Sequence, residues 1–428
     1  MGMYPFPYKG VYPFPYKGWY PVPNWGMECR LPAGRGQGVD RVTIINQLNK
    51  YSMKVRSFFY GMLCMLALGA LMPSCSDDND DDPYNDAGST VTLPQVRAYF
   101  LNEGTMGYNN STIAFYAPNG DADFIGDIFK EQNGHGLGDT GQDMIEYDDC
   151  IYVSVYASNY LAKLNAAGVD LARTSFVGDA DLSAGIRSLA AEDGYIYASF
   201  YGGVVAKINA NTLQVEQKLK GLGSNLEAVA ISNDMLYVAN SYTYNGSQYI
   251  YHTEVPVIDL KTFTLKETLT VAQNPNMMVE DDDYICLISW DYSAESYVLQ
   301  LIEPNAGNRV TRLGYATHVA MENGTVYVID SRVNYDNWPE TSADNSFYTY
   351  NIKTGNMNQT SFLKDMPAKL KNEVIYMIEV NDENGDIYIG TTGHSNVNGE
   401  IYRFRKDGSF VESFDCGGQN PRCAVFFN

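Results

Sequence analysis

The sequence predicts an all-β fold, a seven-bladed β-propeller, on three observations. A short segment of β-branched and aromatic residues recurs seven times. A turn built from Asp, Asn and Gly leads into most copies. The copies stand about 40–60 residues apart, the period of a propeller blade and not of a helical solenoid.

The copies, in order, are Arg97-Ala98-Tyr99-Phe100-Leu101, Ile151-Tyr152-Val153-Ser154-Val155, Tyr195-Ile196-Tyr197-Ala198-Ser199, Met235-Leu236-Tyr237-Val238-Ala239, Tyr284-Ile285-Cys286-Leu287-Ile288, Thr325-Val326-Tyr327-Val328-Ile329 and Asp386-Ile387-Tyr388-Ile389-Gly390. The turns ahead of them are Asp148-Asp149, Asp193-Gly194, Asn233-Asp234, Asp282-Asp283, Asn323-Gly324 and Asn384-Gly385. Such residues open hairpins. An apolar stretch precedes the turn, as in residues 226–231 and 317–321. A loop, a third strand and a fourth follow, as in residues 206–216 and 257–268. Four strands in each of seven units make the propeller. The first unit lacks an innermost strand, and the chain finishes on an unpartnered one, Cys423-Ala424-Val425-Phe426-Phe427. Adding that strand to the first blade closes the ring and removes two exposed sheet edges.

Ahead of the repeats lies a targeting pattern. Lys54 and Arg56 begin it, residues 58–72 are almost wholly apolar, and Pro73-Ser74 lead into Cys75. The apolar run is short for a membrane span, which needs about 20 residues. It has the shape of a secretory signal, and ending on Cys it resembles a bacterial lipoprotein signal, with Cys75 as the lipidated residue. Met72 and Pro73 depart from that pattern. The run Ser76-Asp77-Asp78-Asn79-Asp80-Asp81-Asp82 is too acidic to pack. It resembles the acidic tag that sends lipoproteins of Bacteroidota to the outer cell surface. The order expected is therefore a disordered upstream segment at 1–52, a signal at 53–74, an acidic tether at 75–94 and the propeller at 95–428. The upstream segment carries an aromatic-proline repeat from Tyr4, Tyr12 and Tyr20 and reads as a misassigned start, with Met53 the initiator.

The net charge of −22 excludes a nucleic-acid partner, which needs clustered Lys and Arg. Beyond residue 74 the balance is 21 basic to 49 acidic residues. Haem-attachment, zinc-protease and serine-nucleophile motifs are not found in the sequence. His135, His252, His318 and His394 lie far apart, so no metal site and no cofactor are expected, and the chain does not read as an enzyme. Cys150 and Cys286 read as buried apolar residues. A disulfide between Cys416 and Cys423 stays open beside two free thiols.

Binding chemistry is better represented. The loops after the tyrosine strands carry Tyr156 and Tyr160, Tyr201, Tyr242 and Tyr244, Trp290 and Tyr292, and Tyr335 and Trp338. The starts of the innermost strands, on the same face, carry Gln142, Arg187, Asn225, Asn276, His318 and Arg422. An aromatic rim around a polar funnel suits a large amphipathic ligand, because Tyr and Trp give broad contact at low entropy cost.

The repeats resemble YncE-like, YVTN-type propellers over roughly residues 96–428. Tyr99-Phe100-Leu101-Asn102-Glu103-Gly104 with Asn109-Asn110-Ser111-Thr112, Leu137-Gly138-Asp139-Thr140-Gly141-Gln142-Asp143-Met144, and Gly418-Gln419-Asn420-Pro421 are similar to those of surface lipoprotein propellers of gut Bacteroidota. That group includes the BtuG-type proteins. The resemblance implies a monomeric outer-membrane lipoprotein that captures a corrinoid such as vitamin B12 and hands it to a TonB-dependent transporter. A protein- or glycan-binding scaffold, and a lactonase- or lyase-like enzyme, are the rival expectations.

Overall fold

The computed structural model describes residues 84–118, 124–292, 296–334, 341–393 and 397–428. Cys75, the segments at 1–52 and 53–74, the first part of the tether, Tyr335, Trp338 and His394 lie outside them.

The described strands form seven four-stranded antiparallel sheets. Their innermost strands are Pro421–Phe427 in blade 1, Gly141–Tyr147 in blade 2, Ile186–Glu192 in blade 3, Asn225–Ser232 in blade 4, Pro275–Asp281 in blade 5, His318–Glu322 in blade 6 and Val374–Val380 in blade 7. Each packs against the innermost strand on either side, and blade 7 returns to blade 1, so the ring is closed. The closing strand pairs antiparallel with Arg97–Asn102, from Arg97 opposite Phe427 to Asn102 opposite Pro421. Its alternate residues face opposite ways, as strand geometry requires. Cys423, Val425 and Phe427 pack toward blade 2, whereas Ala424 and Phe426 pack toward blade 7.

Local chemistry explains the hairpins. Both residues of Asp148-Asp149, Asn233-Asp234, Asp282-Asp283, Asp193-Gly194 and Asn323-Gly324 take positive φ, between 49° and 80°. Two successive positive φ values match the right-handed twist of the flanking strands, and Asp, Asn and Gly reach them at least cost. Some of the strand tyrosines tie neighbouring blades together. Tyr152 of blade 2 donates to Ala210 O at 2.8 Å in blade 3, and Tyr237 of blade 4 donates to Asn308 Oδ1 at 2.6 Å in blade 5.

These turns share one face of the ring, the turn face, and it is acidic. Glu280 lies beside Asp281, Asp282 and Asp283, and burial first, then those carboxylates, push it up to about 7. The loops after the second strands, and the starts of the innermost strands, lie on the opposite face.

One expectation is corrected. Residues 84–93 do not behave as a solvated tether. Tyr84 stands edge-on to Phe427 at 5.0 Å and exchanges hydrogen bonds with the Asn428 backbone at 2.8 and 3.0 Å. Thr90 donates to Gln132, Arg97 pairs with Asp86 at 2.9 Å, and Val91 and Leu93 pack on the core between blades 1 and 2. Aromatic and aliphatic residues resume at Tyr84, which lets this stretch bury surface that the Asp run cannot. Of the two states left open for Cys416 and Cys423, the structure shows the free thiols. Both thiols are free and buried, one on each side of blade 1: Cys416 with Phe100 and Tyr388, Cys423 with Val425 and Met144.

Candidate functional site

Six of the seven innermost strands carry a β-bulge near their start. A bulge adds a residue to one strand and re-aims its side chain. Here the extra residues are Arg422, Gln142 and Asn276 as single insertions, Tyr376 in blade 7, and the pairs Arg187-Ser188 and Glu227-Ala228. Blade 6 has no bulge, and His318 stands directly opposite Ile329.

The bulge residues interlock across five blades, with Glu103 of the first-blade loop between two of them. Tyr376 donates to Glu103 at 2.5 Å, and Arg422 approaches the same carboxylate at 3.6 Å. The Arg422 Nε donates to the Gln142 carbonyl, and the Gln142 side chain accepts from Arg187 Nη1. Arg187 Nε and Nη2 both donate to Glu227 Oε2, at 3.0 and 2.6 Å, and Tyr201 donates to Glu227 Oε1 at 2.5 Å. Arg187 is also flanked by two rings, 4.9 Å from Tyr156 and 4.7 Å from Tyr201. A buried ion pair survives only when its hydrogen-bonding capacity is met, and this one is met on every side shown.

From that pair an arc of aromatic rings runs outward. Centroids step 5.5 Å from Tyr156 to Tyr201, 6.3 Å to Tyr242, 5.4 Å to Tyr249, 6.3 Å to Tyr251, 5.5 Å to Tyr292 and 6.3 Å to Tyr297. Tyr244, 5.0 Å from Tyr249, and Trp290, 5.9 Å from Tyr297, flank it. The nine rings span blades 2 to 5. The long hairpin of Met235–Tyr244 and Tyr249–Asp259 carries its middle, and Tyr244, Tyr249 and Ile250 at its tip are exposed. Tyr242 is held by Asn225, whose side chain donates to its carbonyl at 3.1 Å.

The ionisable groups near the mouth are displaced from neutrality. Burial raises Tyr156 and Tyr201, and lifts Tyr242 to about 12. Burial, with Arg422 second, lowers His318 to about 3, so its ring is neutral and bonds Thr317 at 3.0 Å. Glu379 is the exception: burial, with Asp143 second, pushes it up to about 8. Asp143 itself accepts from the Ser188 hydroxyl and the Leu189 N–H, both at 2.8 Å.

The structure thus brings together Gln142, Tyr156, Arg187, Tyr201, Tyr242, Tyr244, Trp290 and Tyr292 of the predicted residues. Arg422 joins the polar ring; Asn276 stands at its bulge in blade 5, and His318 at the unbulged start of blade 6. Tyr160 does not belong. It opens the third strand of blade 2, is buried under Arg173, and donates to Leu137 O in the core between blades. Asn225 braces Tyr242 and leaves the bulge place to Glu227. Glu227, Tyr376 and Glu103 were missed, because a bulge shifts which residue faces the axis and no local signal marks it.

A shallow groove of about 290 Å³ lies elsewhere, over blade 7, lined by Lys369, Glu373, Gly399, Glu400 and Asp415. Its lysine is engaged by both glutamates, at 2.7 and 2.5 Å.

No family model and no curated relative matches the chain. Solved structures do. A quinoprotein alcohol dehydrogenase-like protein of Bacteroides thetaiotaomicron superposes with a TM-score of 0.53 at 13% identity, over 77% of this chain and 78% of that one. Hydrazine synthase of Kuenenia stuttgartiensis is similar at a TM-score of 0.48 and 12% identity, over 62% of this chain and 77% of the other. The first establishes kinship of fold with a bacterial propeller. The class defined by fold and site is therefore a seven-bladed β-propeller with an aromatic arc beside a polar axial ring.

Proposed function

We propose that this protein is a non-enzymatic surface lipoprotein, anchored through Cys75, that captures a large amphipathic nutrient on the arc face for a TonB-dependent transporter. The observation that carries the reading is the unbroken arc of nine rings beside the Arg187–Glu227 pair. Such a surface offers rigid apolar contact with hydroxyls at its edges. The resemblance to BtuG-type propellers supplies the ligand to try first, a corrinoid.

Calorimetric titration with cobalamin is the test, with Trp290 emission as a second signal. Saturable binding at micromolar or lower concentration is expected, weakened by Tyr249→Ala. No heat and no quenching at those concentrations refutes the corrinoid reading. The exposed Tyr244, Tyr249 and Ile250 favour a second reading, a docking site for an envelope protein or glycan. Retention of a partner that Tyr249→Ala releases, without cobalamin binding, supports that one.

A further inference from the structure

We propose that Glu227 sets the specificity of the arc face: by neutralising Arg187 it makes the face accept an uncharged planar amphipath and refuse an anionic one. The inference rests on the reading that this face binds a ligand, and it names the ligand's class.

Arg187 occupies the place where an anion would otherwise be drawn. It lies between the first two rings of the arc, and an arginine held beside aromatic surface is an effective anion receptor, since its donor fork matches carboxylate and phosphate. Glu227 removes that function. One carboxylate oxygen takes both Nε and Nη2, and Gln142 takes Nη1. The pair is nearly closed to solvent, with side chains 5% and 8% exposed. The second cation of the ring is matched more loosely: Arg422, 31% exposed, stands 3.6 Å from Glu103, which Tyr376 also holds. Each axial arginine therefore has its own carboxylate, and the chain around them carries a net charge of −22. Building a site against a competitor in this way is a recurrent route to specificity.

The same pair positions the arc. Tyr201 is tied to Glu227 through its hydroxyl and packs on Arg187 through its face, so one carboxylate fixes both the cation and the ring. Glu227→Gln keeps the shape and removes the charge, which separates the two roles.

The test uses two fluorescent probes with one aromatic skeleton: neutral phenylnaphthylamine and anionic anilinonaphthalene sulfonate. The full-length wild-type protein is expected to prefer the neutral dye by about tenfold or more. In Glu227→Gln the uncompensated Arg187 should narrow the ratio to about threefold or less, and the gained affinity for the sulfonate should fall as salt is raised. Glu103→Gln should act in the same direction. Should Glu227→Gln fail to fold, the double variant Arg187→Met with Glu227→Met, which restores neutrality, should keep the wild-type preference.

A wild type that binds neither dye, or binds both alike, overturns the inference. So does a Glu227→Gln variant whose ratio is unchanged, or neutral-dye binding undiminished by Tyr249→Ala, which places the dye off this face. Cobalamin binding without the dye preference refutes this inference and leaves the proposed function standing. The dye preference without cobalamin binding does the reverse for the corrinoid ligand.

Discussion

Phe427→Ala tests the ring closure at its tightest point. Phe427 is 2% exposed, near the end of the closing strand, opposite Arg97 in the ladder. Its ring meets Tyr84 at 5.0 Å and Tyr99 at 5.8 Å, both edge-on, and the Arg97 guanidinium lies over it at 5.9 Å. Truncating a buried Phe costs about 3–5 kcal/mol, partly through the cavity left behind. At about 2.1 cal/mol/K per residue, a body of about 340 residues unfolds with an entropy near 0.7 kcal/mol/K, so a loss of about 4 kcal/mol lowers Tm by about 6 °C. Calorimetric melting at one scan rate measures this. Because Tyr84 rests on the deleted ring, proteolysis between residues 84 and 93 should also quicken. A Tm loss below about 2 °C would refute the argument, since backbone pairing alone would then hold the closure.

Three further outcomes follow from the same geometry. Tyr152→Phe removes the bond to Ala210 O and leaves a buried carbonyl unpaired, so equilibrium urea unfolding should show a loss of about 1–3 kcal/mol. His318 stays neutral in the folded protein down to about 3, whereas the unfolded chain takes up its proton near 6.5. Stability contributed by this residue is therefore present above pH 6.5 and is lost as pH falls toward 3, by up to about 5 kcal/mol, because the unfolded state binds more protons in that window. Unfolding curves of His318→Gln should be flatter over that range, and an identical acid limb would sink the assignment. Peptide mass spectrometry without reductant should find Cys416 and Cys423 as free thiols; a linked peptide would contradict the placement of these two residues on opposite sides of blade 1.

What could be read from sequence was what local chemistry decides. Asp148-Asp149 and its counterparts declare their turns because few residues accept two positive φ values in succession. The tyrosine strands declare themselves because each must be apolar on both faces, between two blades. The closing strand was visible as an apolar segment without a partner. The site was harder. Tyr160 and Tyr156 look alike in sequence, yet Tyr160 begins a strand and turns into the core, whereas Tyr156 stands in the loop before it. Glu227 follows Asn225 by two residues, and only the bulge decides which of them reaches Arg187. Tyr376 carries no mark in the sequence, and only the bulge in blade 7 turns its hydroxyl to Glu103. Non-local pairing settled each of these, and periodicity carries no record of it.

The docking of Tyr84 has a consequence for orientation. The chain joins the body beside Asn428, which in turn bonds Asn381 at 3.1 Å on the turn face. Under the lipid-anchored reading proposed above, Cys75 stands nine residues earlier, and nine residues can span at most about 30 Å. The body would then hang with its carboxylate-rich underside toward the bilayer, where anionic headgroups push it off. The opposite rim would open outward like an upright cup, turned to whatever diffuses past the cell.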